Sequence, residues 1–318
     1  MGRYLVTGGA GFVGSHIAEH GLALGHEIVV LDNLFFGKLD NLEAIGLGSN
    51  KNLDFVEGDI RDEKLVQELV KDCDGIFHEA ALPSVPRSVE DPVTSHDVNI
   101  NGSLVVLLAA REHGKKLVYA GSSSAYGDTE TLPKHEGMLA APLSPYAVQK
   151  LNVEHYAQAF GRVYGLPTVI LRYFNVFGPR QRADSPYSGV IAKFCKLALD
   201  SAVCRVEGDG LQSRDFTYVA DVARGNWLAM SKDLPSGTRM NLAGGGRYSL
   251  LDLLDALGKI LCREIPREHG PARSGDVRHS QASTELAERF LGFRTEIDFG
   301  EGLKRTLDWY RETQAASE

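Results

Sequence analysis

Thr7-Gly8-Gly9-Ala10-Gly11-Phe12-Val13-Gly14 follows the first β-branched run of the chain and opens its first helical pattern. Counted from Gly9 the glycines satisfy G-x-G-x-x-G, and counted from Gly8 the wider G-x-x-G-x-x-G. A glycine turn between strand and helix lets backbone N–H groups and the helix dipole meet a pyrophosphate at close range. Gly8, Gly11, Phe12, Val13 and Gly14 are therefore candidate dinucleotide contacts, with a plain strand-to-helix turn as the alternative. A glycine motif gains weight only in context: a strand before it, a helix after it, and an acid about 20 residues further on. Asp32 is that acid, ending the second strand pattern with Asn33 beside it. There a carboxylate can accept from both adenosine ribose hydroxyls and repel a 2′-phosphate, which favours NAD over NADP. After the third strand, Asp59 and Ile60 lie where an adenine can be gripped.

Outward from this unit, β-branched runs at 4–7, 27–31, 53–56, 75–78, 116–120 and 167–172 alternate with helical patterns at 12–24, 62–71, 93–113 and 146–164. That rhythm predicts an α/β, Rossmann-type doubly wound parallel sheet with helices on both faces. After about residue 175 the rhythm breaks into Gly-, Pro- and Arg-rich loops, then resumes with helices near 190–199, 250–261 and 302–311. The reading is a cofactor-binding domain over 1–175 and a smaller mixed α/β substrate lobe over 176–318. The division is discontinuous, because strands at 216–219 and 239–242 are expected to return to the main sheet from a segment near 215–245.

Bulk properties narrow the function classes. With 318 residues, 43% hydrophobic and 24% charged, the chain can bury a large core. A net charge of −8 gives no broad basic footprint for nucleic acid. The longest aliphatic run, 104–110, is far short of the roughly 20 residues that span a bilayer. Val6 stands where a myristoylation signal requires Ser or Thr. Cys73, Cys195, Cys204 and Cys262 form no C-x-x-C pair, which predicts reduced core thiols in a cytoplasmic protein; no metal site is expected.

Ser144-Pro145-Tyr146-Ala147-Val148-Gln149-Lys150 carries a tyrosine and a lysine four residues apart, on one helix face. A fixed ammonium favours a phenolate, so Lys150 is expected to bring Tyr146 from its usual value near 10 toward working pH. Such a base can take the proton of an alcohol whose carbon is losing hydride. A solvated surface pair is the alternative use of the same spacing.

Taken together, TGGAGFVGSH, HEAALPSVPRS, NINGS, GSSSAYGD, PLSPYAVQK, RYFNVFGPRQ, SRDFTYVAD and GDVRHS resemble the extended short-chain dehydrogenase/reductase family over nearly the whole chain. The likeness is to its nucleotide-sugar 4-epimerases, particularly those accepting N-acetylated UDP-hexosamines. It implies that Tyr146 is the catalytic base, that Lys150 holds the nicotinamide ribose, and that Ser122 relays protons. It places Ala80, Ala81, Asn99 and Tyr173 on the cofactor side. Ser123 and Ser124 line the sugar pocket, Asn175 meets the diphosphate, Arg214 and Arg273 clamp it, and Asp276 contacts the nucleotide ribose. Ser84 and Arg87 help position the sugar, a structural ion pair being the other use of Arg87.

The implied reaction is NAD-dependent epimerisation of a UDP-hexose through a 4-keto sugar, on tightly held NAD, in a homodimer. Relatives restricted to plain sugars carry a bulky tyrosine where this chain has Ser280, so UDP-GlcNAc and UDP-GalNAc are expected substrates, alongside UDP-Glc and UDP-Gal. Ala125 and serines replace the Asp-Glu pair of the dehydratases in GSSSAYGD, which disfavours 4,6-dehydration. A UDP-N-acetylhexuronate epimerase, a decarboxylase and a non-catalytic dinucleotide sensor are the remaining alternatives.

Overall fold

A computed structural model describes residues 1–184, 188–272 and 277–315. Its main sheet holds seven parallel strands: β1 (Arg3–Thr7), β2 (Glu27–Asp32), β3 (Leu53–Glu57), β4 (Gly75–His78), β5 (Lys116–Ser122), β6 (Thr168–Tyr173) and β7 (Thr238–Leu242). They lie in the order β7-β6-β5-β4-β1-β2-β3, so the strand order reverses between β1 and β4. Successive strand residues point to opposite faces, and both faces are apolar because helices cover both. Val6, Val30, Phe77, Val118 and Val169 pack with helices α1 (Phe12–Ala23) and α6 (Val219–Ser231). Their neighbours Leu5, Val29, Ile76, Leu117 and Ile170 pack on α2 (Glu63–Lys71), α3 (Ser103–Glu112) and α4 (Pro145–Tyr164).

The helix expected over 93–113 is interrupted. Pro92–His96 is α-helical, Asp97–Gly102 forms a π-helical turn, and α3 follows. Asn99, Asn101 and Gly102 are weak helix formers, and the turn brings Gly102 so close to Ile60 that a Cβ there would lie 2.6 Å from Ile60 Cδ1. The strand at 239–242 joins the main sheet as β7, but the one at 216–219 does not. Only Thr217–Tyr218 is extended, and it pairs with Val176–Phe177. Phe216 and Tyr218 instead fill a separate core with Phe177 and Phe299.

That second core is formed by α5 (Val190–Leu199), α7 (Leu250–Leu261) and α8 (Phe299–Ala315), with Cys204–Glu207 paired to Arg267–Gly270. Cys73, Cys195 and Cys204 are buried free thiols, whereas Cys262 is exposed at the end of α7, against the expectation of a core position. Among the described residues no helix is long and apolar enough to cross a membrane.

Candidate active site

A cavity of about 500 Å³ runs along the carboxyl ends of the strands, where a doubly wound sheet places its ligands. Of the residues assigned to a cofactor, all but Asn99 line it. The glycines at its floor have no room for side chains. Gly8 has φ +70°, and a Cβ there would lie 2.7 Å from the Ala80 nitrogen. A Cβ on Gly14 would lie 2.3 Å from the Gly8 oxygen. The turn therefore holds the start of α1 against β1 and β4, leaving the helix N-terminus open to an anion.

At one end of the cavity the Asp32 carboxylate accepts from the N–H groups of Leu34 (2.8 Å) and Ala10 (3.1 Å). Burial pushes its pKa up, and these donors work against that rise. Asp59 accepts from Arg61 and, at 3.0 Å, from Asn33; the Arg61 bonds hold it at about 2, a fixed negative charge. Phe35 and Phe36 complete this end, and sequence reasoning missed both. Arg87, assigned to the sugar, stacks over both rings at 5.0 Å and does not line the cavity.

At the other end α4 delivers Tyr146 and Lys150. Ser144 caps the helix by accepting from Ala147 N, and Pro145 sits in its first turn, where no N–H is needed. The Tyr146 N–H donates to Ser88 Oγ at 3.0 Å. One turn on, Lys150 lies buried with its ammonium 4.5 Å from the centre of the Tyr119 ring. The phenol is not brought down as its spacing from lysine predicted: burial pushes Tyr146 up to about 12, against a hydrogen bond with Ser122. Lys150 is itself lowered by burial, against the neighbouring carboxyl groups of Glu79 and Glu154.

Two buried residues hold the loop after β4. Asn99 Oδ1 accepts from Leu82 N at 2.7 Å, and its Nδ2 donates to Gln149 Oε1 at 2.8 Å. Asn99 thus shapes the wall from behind rather than touching the cavity. His78 is neutral, with burial lowering its pKa to about 3. Ser103 Oγ donates to Asn99 O (2.7 Å), so its oxygen must accept from His78 Nε2 (2.8 Å), and Nδ1 accepts from Thr7 (2.7 Å).

Residues 4–243 match the NAD dependent epimerase/dehydratase family. The chain belongs to that family. It is 36% identical over 310 residues to a putative UDP-glucose 4-epimerase of Methanocaldococcus jannaschii, spanning 96% of this chain and 98% of that one. The UDP-N-acetylglucosamine 4-epimerase of Methanobrevibacter ruminantium, solved with UDP-N-acetylmuramic acid, superposes with a TM-score of 0.93 at 36% identity, covering 98% of this chain and 99% of that one. A UDP-glucose 4-epimerase of Thermus thermophilus, solved with NAD, gives 0.88 at 37% identity, with 97% and 99% covered. NAD is the cofactor of this epimerase relative, and the side-chain-free cradle at Gly8 and Gly14 fits its pyrophosphate.

The residues assigned to the sugar nucleotide are more scattered. Ser84 lines the cavity, but its hydroxyl also accepts from Arg87 N at 3.2 Å. Ser122 and Ser124 hydroxyls are 2.8 Å apart, with Ser123 between them in the turn after β5. Asn175 Nδ2 donates to Asp215 O at 3.2 Å, and Arg214 Nη1 to Ser213 O at 3.0 Å. Ser280 is buried, its N–H donating to Ser213 O at 3.0 Å. None of these last six lines the cavity; Arg273 and Asp276 lie outside the described residues. Glu79, Arg180 and Gln181 do line it and were not foreseen. For Glu79 a signal existed: a lone acid in HEAALPSVPRS, directly after a buried strand.

Proposed function

We propose that this member of the family is a UDP-hexose 4-epimerase acting on UDP-GlcNAc and UDP-GalNAc, and on UDP-Glc and UDP-Gal. Tyr146 and Lys150 line one end of the NAD cavity, and the Ser122 hydroxyl, outside the lining itself, is hydrogen-bonded to the Tyr146 phenol; that arrangement carries this reading. NAD, when bound, supplies the hydride acceptor and later the hydride donor. Tyr146 takes the proton of the sugar's 4-hydroxyl and returns it after the 4-keto sugar has presented its opposite face. Ser122 bridges phenol and sugar oxygen, and Lys150 offsets the negative charge that grows on the phenol. Arg214 and Asn175 hold the diphosphate, so that the sugar turns while its anchor stays fixed. A serine at 280 leaves room for an acetamide that a tyrosine would fill. The reading includes a homodimer, in keeping with the exposed apolar residues Val148, Tyr156 and Val163 on α4.

The test is incubation with UDP-GlcNAc, UDP-Glc and UDP-glucuronate, followed by proton NMR of the sugar. Inversion at carbon 4, fastest on the acetylated sugar, is expected. Unchanged substrate throughout contradicts the assignment, and loss of water or carbon dioxide moves it to a dehydratase or decarboxylase.

A further inference from the structure

Glu79 projects into the reacting end of the cavity from the segment after β4, and the mechanism above leaves it without a task. Its Oε1 lies 2.8 Å from the Tyr173 hydroxyl, and that hydroxyl lies 2.9 Å from Asn226 Oδ1 on α6. The Asn226 amide has one orientation here, because its Nδ2 donates to Val222 O at 2.9 Å inside a fully buried site. A phenol has a single proton. If Glu79 were a carboxylate, Tyr173 would face two acceptors with one donor, and one of the two close oxygen–oxygen contacts would hold no proton. If the carboxyl is neutral, the bonds run one way: Glu79 to Tyr173, Tyr173 to Asn226, Asn226 to the backbone of α6. Each of the two close oxygen–oxygen contacts then holds a proton.

We propose that Glu79 works as a neutral carboxylic acid, a positioning residue that donates to the Tyr173 oxygen and leaves the Lys150 charge available to the Tyr146 phenol. The groups facing it are Lys150 and Tyr146 from α4, Tyr119 from β5 and Tyr173 from β6; Glu154 also acts on Lys150. Burial pushes the Glu79 carboxyl up from its ordinary range, against the Tyr173 hydrogen bond and the Lys150 charge. An ionised Glu79 would raise the Tyr146 phenol further, making it a harder acid to deprotonate. Keeping the proton on Glu79 therefore serves the base. The inference rests on Tyr146 and Lys150 being the acid–base pair of the proposed reaction.

Two measurements test it. In protein carrying carbon-13 in its glutamate carboxyls, the resonance lost in Glu79→Gln identifies Glu79. Its midpoint is expected roughly three pH units or more above the usual value near 4.3, so that the acid stays protonated at neutral pH, and a midpoint below about 7 overturns the proposal. This titration uses no sugar, so it can fail while the UDP-sugar assignment stands, and the reverse. In the second, Glu79→Leu is expected to lower kcat roughly tenfold with KM for the UDP-sugar little changed, and Glu79→Gln, whose amide can still donate to Tyr173, to recover most of that loss. A Glu79→Gln enzyme as slow as Glu79→Leu would mean that the negative charge is needed, which also overturns the proposal. If Glu79→Leu fails to fold, the titration decides alone.

Discussion

The two sides of the cleft are assembled differently. On the cofactor side, functional groups sit in one glycine turn and at the carboxyl ends of strands that lie side by side in one parallel sheet. The residues proposed for the sugar nucleotide, Arg214, Asn175 and Ser280, ride on short pairings between distant segments, such as Ser213 with His279 and Lys134 with Ala282. Their polar groups are already bonded to backbone. The cofactor cavity is thus walled by the sheet itself, whereas the residues proposed for the sugar nucleotide sit on loops held by individual hydrogen bonds. Changes to the first should act all-or-none on NAD, and changes to the second should be graded and specific to the sugar nucleotide.

Gly8→Val gives the largest contrast: its branched side chain meets Ala80 backbone at a positive φ. NAD affinity measured by calorimetry should fall on the order of 100-fold or more. Retained NAD affinity would mean that the turn is looser than described. Next in size is a difference in pH response between two buried groups, His78 and Asp215. His78 is lowered to about 3, so its neutral state supports folding above about 6.5, and stability is lost as pH falls below that value. Burial raises Asp215, next to Arg214 in sequence, to about 7, so stability is fullest below its ordinary 3.8 and is lost as pH rises through 7. Each contributes roughly 1.4 kcal/mol per pH unit within its window. The two windows overlap with opposite slopes, so removing one group uncovers the other: in denaturant unfolding across the shared acid range, Asp215→Asn should make stability rise more steeply with pH, and His78→Gln should make it fall with pH.

Smaller and more selective effects are expected from the residues proposed for the sugar nucleotide. Arg214→Ala should raise KM for the UDP-sugar roughly tenfold while NAD affinity stays unchanged, because the guanidinium is assigned to the diphosphate alone. Ser280→Tyr should shift the ratio of kcat/KM for acetylated over plain sugars by roughly tenfold or less, the size of a steric pocket effect. An unchanged ratio removes Ser280 from the specificity account.

The same contrast sets what was legible in the sequence. The parallel sheet and its glycine turn could be read because strand, helix and acid recur at short, regular spacings, and Ser144-Pro145 marks the start of α4 directly. Phe216 and Tyr218 have the alternation of a strand, but periodicity does not say which sheet a strand joins, and here the second core claims both rings. The Tyr146–Lys150 spacing was visible, yet burial, which lifts the phenol, depends on how α4 lies against β5 and is not written in the spacing. Arg87 was read by its charge, but Phe35 and Phe36, more than 50 residues earlier in sequence, give it a stacking surface. The Glu79 bonds to Tyr173 and Asn226 join three elements that only the folded sheet brings together.

The central claim is that Tyr146 moves the proton of the sugar's 4-hydroxyl, and it is tested by the epimerisation rate of Tyr146→Phe at saturating UDP-GlcNAc with NAD bound. The account predicts a loss of roughly 100-fold or more with NAD affinity retained, the scale of general acid–base catalysis. A loss of less than about tenfold would contradict it, because the proton would then have another route.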